Sequence, residues 1–158
     1  MHKLILDDFI EDIDYALIGI HCSIEDYRLA YLLNQYLNLG LKRKSKDIEY
    51  IDDHSFSIFE WEDEKRLMMW HLVSNSSRIE VVTESQGISL FNDQERLIKT
   101  NHLIPEYNRV NYVLKIGDNP DQKIRKKALN IIKSIPHIIT AYDIDPDNLK
   151  TTDHLIFN

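Results

Sequence analysis

Two stretches of this chain carry apolar residues at helical spacing, and around them the spacing tightens to alternation. In the first stretch Tyr27, Ala30, Tyr31, Leu33 and Leu37 recur every three or four positions. Ser23 precedes them as a cap with Asp26 three residues on, and Gly40 supplies the stop. In the second, Asn119-Pro120-Asp121-Gln122 opens a helix whose stripe is Ile124, Ala128, Ile131, Ile132 and Ile135, closed by Pro136. A helix with one apolar stripe has to lay it on another layer.

The alternating segments supply that layer. Residues 13–22 (IDYALIGIHC) form an apolar run that reads as a buried strand. Ile48, Tyr50 and residues 54–61 predict strands, with Phe56 and Ile58 on one face and Phe59 and Trp61 on the other. An acidic turn at Glu62-Asp63-Glu64 leads to a strand over 67–73, and Ser74-Asn75-Ser76-Ser77 reads as a loop before a short strand at 78–83. Residues 84–109 show no regular period. Val110, Tyr112, Leu114 and Ile116 alternate up to Gly117, residues 138–144 form a further strand, and His154-Leu155-Ile156-Phe157 adds a short one. Short polar connections favour hairpins over crossovers. The expected fold is α+β: one domain over residues 1–158, a mostly antiparallel sheet of about five to seven strands, and two main amphipathic helices on one of its faces.

Composition narrows the class of protein. At 158 residues and 43% hydrophobic content the chain can bury a core without staples. Four Gly and four Pro leave little room for flexible linkers. Cys22 is the only cysteine, which rules out an internal disulfide and a cysteine-based zinc site. Three apolar residues before Asp7-Asp8 fall short of a signal-peptide core of roughly 7–15, and no window reaches the roughly 20 apolar residues of a membrane span. The expectation is a cytoplasmic protein with no membrane partner.

A net charge of −7 weighs against a general nucleic-acid binder. Two basic clusters stand out locally: Lys42, Arg43, Lys44 and Lys46, and Lys123, Arg125, Lys126 and Lys127. Each lies on or beside an expected helix, where a solvated face is the plain explanation.

The usual catalytic spacings are missing. His2, His21, His54, His71, His102, His137 and His154 include no pair at the i, i+4 spacing that converges on a metal. In Asp52-Asp53-His54 neighbouring side chains point apart, as do His21 and Cys22 on a strand, which denies the thiol its base. Gly19, Gly40, Gly87 and Gly117 stand singly, so no phosphate loop forms. Glu60 and Glu62 share a strand parity but stand in an acidic turn region. Trp61 and Trp70 with Met68 and Met69 read as core, with a ligand pocket as the alternative. No catalytic residue, cofactor or metal is expected.

One stretch is distinctive. Residues 103–112 (LIPEYNRVNY) resemble the signature of the uncharacterised IPExxVDY family, through Ile104-Pro105-Glu106 and the Val110/Tyr112 pair. Asn111 stands where that pattern has Asp, and three residues rather than two separate Glu106 from Val110. Residues 18–33 (IGIHCSIEDYRLAYLL) also look familiar for the group. The resemblance implies a small cytoplasmic protein of the Bacteroidota; it carries no activity, cofactor or catalytic residue with it. Physically, Pro105 holds Ile104 extended and removes a ladder donor. The segment is then either a rigid entry into the strand at Val110, or an exposed docking loop. The candidate interaction residues are Ile104, Pro105, Glu106, Tyr107, Arg109 and Tyr112.

The functional expectation is a non-enzymatic protein-interaction or adaptor module, acting as a homodimer or on another protein. Many aromatics and open sheet edges motivate it. The competing expectation is an RNA- or ribonucleoprotein-associated factor using the two basic clusters. An enzyme built from distant carboxylates and histidines is the third.

Overall fold

The computed structural model describes residues 15–51, 54–84 and 94–157. Ten strands and two α-helices are defined among them: β1 (Ala16–Cys22), α1 (Asp26–Leu37), β2 (Lys42–Arg43), β3 (Ile48–Ile51), β4 (His54–Phe56), β5 (Ile58–Asp63), β6 (Met68–Ser74), β7 (Ser76–Glu84), β8 (Gln94–His102), β9 (Tyr112–Ile116), α2 (Gln122–Ser134) and β10 (Ile138–Ile144). Six strands form one sheet in the order β10-β1-β9-β6-β5-β2, every neighbouring pair antiparallel. β3 pairs with β4, and β7 with β8, in separate two-stranded sheets. The fold is α+β, with more strands than the alternation alone revealed.

Both helices lie on one face of the large sheet. Leu29, Ala30 and Leu33 of α1 and Ala128 and Ile132 of α2 share a core with Ala16, Ile18, Ile20, Trp70, Leu72, Leu114 and Ile116. The opposite face is covered too: Leu17, Val113 and Ile144 pack under Ile104, Val110, Leu149 and Leu155. This two-sided burial explains why β1 reads as a continuous apolar run rather than an alternating one. The parity at β4 and β5 also appears as expected, with Phe56 and Ile58 in a third cluster and Phe59 and Trp61 on the helix side. The expected strand residues Ile13 and Asp14, and the turn at Asp52-Asp53, lie outside the described residues.

Several local expectations are corrected. α1 begins at Asp26 after Glu25, which makes no side-chain cap, so Ser23 does not cap it. Its buried face is Leu29, Ala30 and Leu33, whereas Tyr27 and Tyr31 are 65% and 64% exposed. Two overlapping i, i+4 families compete there, and the aliphatic one is buried because a phenol needs a polar partner inside. The helix stops at Asn38, whose φ of 57° is left-handed. Gly40 instead makes room, since a Cβ there would lie 2.8 Å from the Trp61 indole nitrogen.

α2 is capped by Asp121, which accepts from the Ile124 amide at 2.9 Å, rather than by Asn119. Asp118 and Asn119 are both left-handed and form the turn before it. Glu62 and Asp63 belong to β5, and the turn falls at residues 64–67. Only Asn75 interrupts the chain between β6 and β7. The irregular stretch contains β8, whose adjacent Leu97 and Ile98 are both exposed and so leave no alternation to read. The tail forms a 3-10 turn (Thr152–Leu155), not a strand.

Gly19, in the middle of β1, faces Val110: an added Cβ would meet Val110 Cγ2 at 2.9 Å and Ile144 Cδ1 at 3.0 Å. Both neighbours are fully packed. Gly19→Ala is therefore expected to destabilise the fold by about 1–3 kcal/mol, measured as a lower urea midpoint with an unchanged m-value.

Candidate functional site

The signature-like segment at residues 103–112 crosses the sheet face opposite the helices, and its conformation is set by one buried side chain. Asn75 is fully buried. Its Oδ1 accepts from the Ile104 amide at 2.7 Å, and its Nδ2 donates to the carbonyls of Tyr107 and Val110 at 2.9 and 2.8 Å. Its backbone N–H donates to the Asn111 carbonyl, and its carbonyl accepts from Leu103, both at 2.8 Å. An amide is suited to this position because it both accepts and donates. Pro105 then takes the first place of a 3-10 turn (Pro105–Tyr107).

Glu106, Asn111 and Tyr112 of the segment also have internal partners. Glu106 accepts from the Lys150 amide at 2.9 Å and from the Thr151 hydroxyl at 3.2 and 3.3 Å, which fastens the tail. Partial burial works against its ionisation, but these hydrogen bonds outweigh that and hold the carboxyl below its ordinary range. Asn111 Oδ1 accepts from the Cys22 amide at 3.0 Å and contacts His21 Nδ1 at 2.8 Å, where the pairing of β1 with β10 slips by a residue. The Tyr112 hydroxyl donates to the Ile24 carbonyl at 2.7 Å, and burial pushes its pKa up.

The six candidate interaction residues are thus divided. Ile104 and Tyr112 are buried, Tyr107 is half-buried against Tyr142, and Pro105, Glu106 and Arg109 are exposed. The segment's exposed part is short, and Glu106, Asn111 and Tyr112 already have hydrogen-bond partners within the fold. The tail beyond it is held by further contacts that sequence spacing did not indicate. Lys115 Nζ donates to the Leu155 carbonyl at 2.7 Å and lies over the Tyr15 and Phe157 rings, and His154 Nδ1 donates to the Leu103 carbonyl at 2.7 Å.

On the same sheet face β5 and β6 pair Glu60 with His71. His71 Nε2 lies 2.9 Å from Glu60 Oε2, which also accepts from Lys44 Nζ at 3.2 Å, and the Phe157 ring packs on the imidazole. Burial lowers the His71 pKa more than Glu60 raises it, so the ring is neutral at neutral pH. Burial disfavours the Glu60 carboxylate, but the contacts from His71 and Lys44 together bring its pKa down.

Cys22 is buried, and that burial raises its thiol pKa while His21 is occupied by Asn111. Among the described residues no group of three or more His, Cys, Asp or Glu comes together to hold a metal. No helix among them is long and apolar enough to cross a membrane. The first basic cluster is largely paired: Arg43 bridges to Asp47 and Lys44 to Glu60, on and beside edge strand β2. In the second, Lys123, Lys126 and Lys127 are exposed on α2. No family model, curated protein or solved structure matches the chain.

Asn75→Ala would strand one buried amide and two carbonyls. It is expected to cost about 3 kcal/mol or more, whereas Glu106→Gln, on the exposed side, should cost less than about 1 kcal/mol; chemical denaturation of both variants separates the two roles. The pH dependence has a definite sign. His71 has a lowered folded pKa, so the unfolded chain takes up its proton first and stability falls as pH drops below the ordinary value of 6.5. Glu60 and Glu106, also lowered, add a loss as pH falls below 4.5. Thermal midpoints should decline through both windows, and His71→Gln should flatten the upper one.

Proposed function

We propose that this chain is a non-enzymatic protein-interaction module that associates with a second copy of itself through the β7–β8 arm. The observation that carries this reading is that the arm pairs with no strand of the large sheet. Nine residues of β7 pair with nine of β8, from Ser76↔His102 to Glu84↔Gln94, and neither strand joins the six-stranded sheet. Three of its apolar side chains stand in solvent: Val82 is 51% exposed, Leu97 49% and Ile98 70%. A two-stranded ribbon is marginally stable alone in water, and neither outer edge has a strand partner among the described residues.

A second copy supplies what such an arm lacks. Two identical edges meeting about a two-fold axis form an antiparallel pair in which each strand satisfies the other. Edge pairing lengthens the ribbon and sets the apolar side chains of the two copies beside one another on each face. The reading places the protein in the cytoplasm, with the IPExxVDY group as its proposed family on the strength of residues 104–112, and assigns it no cofactor. An RNA-associated role is less well supported, because Arg43 and Lys44 of the first cluster already have carboxylate partners.

Size-exclusion chromatography with light scattering tests the proposal. The natural chain is expected to run as a dimer at tens of micromolar, and Leu97→Glu with Ile98→Glu as a folded monomer. A strict monomer at every concentration would overturn it. Salt-sensitive RNA binding by that monomer, lost on Lys123→Glu with Arg125→Glu, would favour the nucleic-acid reading instead.

A further inference from the structure

A cavity of about 350 Å³ opens on the helix side of the sheet, between the end of α1, the β5–β6 turn and α2. We infer that it is a binding site for a small amphiphilic anion, a carboxylate or phosphate on an apolar body. The wall supplies both halves of that ligand. Leu37, Trp70, Ala128 and Ile131 provide apolar surface, and Arg66, Lys123 and Lys127 bring positive charge, with no carboxylate among the lining residues. Lys123 and Lys127 are exposed and make no ion pair among the described residues; Arg66 is only loosely held by Asp63, at 3.9 Å.

Arg66, Lys123 and Lys127 come from two separate elements, and an anionic head seated among them lowers their mutual repulsion, although Arg66 and Lys127 also border an acidic recess. The volume falls within the range of small-ligand sites. Trp70, 2% exposed, closes the wall from the sheet side.

The surroundings disfavour a polymer. The adjoining recess is of mixed charge, with Glu62, Asp63 and Glu64 beside Lys65, Arg66 and Lys127, so a phosphate chain continuing past Arg66 would meet carboxylates. A short ligand with a single anionic head avoids them. This inference does not depend on the β7–β8 arm.

Both tryptophans of the chain lie here, Trp70 in the cavity wall and Trp61 in the adjoining recess, so intrinsic fluorescence reports binding. The full chain is titrated with dodecanoate, dodecyl phosphate, dodecyltrimethylammonium and inorganic phosphate, each below its micelle concentration. Saturable changes are expected with one or both amphiphilic anions, and the stronger of the two identifies the head group. The cationic amphiphile and inorganic phosphate should bind at least roughly tenfold more weakly. Lys123→Glu with Lys127→Glu should weaken anion binding by roughly tenfold or more, while Lys126→Glu, on the same helix but outside the wall, should change it less than about twofold. Circular dichroism confirms that the variants fold. Equal binding of the cation, insensitivity to the double substitution, or no saturable change with either anion would overturn the proposal.

Discussion

The five hydrogen bonds of Asn75 set the arrangement around them. This residue is the single break between β6 and β7, so it is where the chain leaves the large sheet for the arm. The same residue receives the chain when it returns after β8, since Leu103 donates to its carbonyl and Ile104 to its side chain. Departure and return are thus joined at one buried point. A buried amide satisfied on every side is strongly directional, because any displacement leaves polar groups without partners in a region water does not reach.

From that point the second layer of the molecule follows. With the 3-10 turn held in place, Ile104 and Val110 descend onto Leu17, Val113 and Ile144. Glu106 then fastens residues 150 and 151, which brings Leu149 and Leu155 over the same face. The packing of Val110 on Gly19 extends the dependence back to β1, where no side chain fits. Helices cover one face mainly through hydrophobic area, whereas the other face is covered by irregular chain that depends more on polar fasteners to hold its shape. That difference in cover accounts for the polar networks at Glu106, Lys115 and His71 lying on the tail side.

What could be read from the sequence follows the same division. The α+β class, both helices, the strand over 138–144 and the opposed parity of Phe56/Ile58 and Phe59/Trp61 were legible, because repeated apolar spacing reports packing against a regular layer. Caps and helix faces were displaced by a few residues, since Asp121 and Asn119 offer equivalent chemistry and only the left-handed turn at Asp118 and Asn119 selects between them. β8 was invisible because a strand exposed on both faces has no reason to alternate. Of the candidate interaction segment, the motif itself was conspicuous, but its anchor was not. Asn75 sat in a Ser- and Asn-rich run that reads as any polar loop, and nothing local signals that its side-chain partners lie 29 to 35 residues away.

A conspicuous motif need not be a recognition surface. Ile104, Asn111 and Tyr112 are specified by the inside of the molecule, through a buried side chain, an acceptor aimed at Cys22 and a hydroxyl aimed at Ile24. Such requirements restrict residue identity as tightly as a ligand would, because each unsatisfied polar group in the interior carries a desolvation penalty. Groups free to engage a partner are those whose bonding capacity the fold has not consumed. Among the described residues these include the outer edges of the β7–β8 arm and the cations of α2 that line the cavity with Trp70. Both lie away from the segment that first draws the eye, and both are ordinary in sequence. Their chemistry arises from placement: a hairpin left outside the sheet, and three positive charges brought around one apolar hollow by helix and turn.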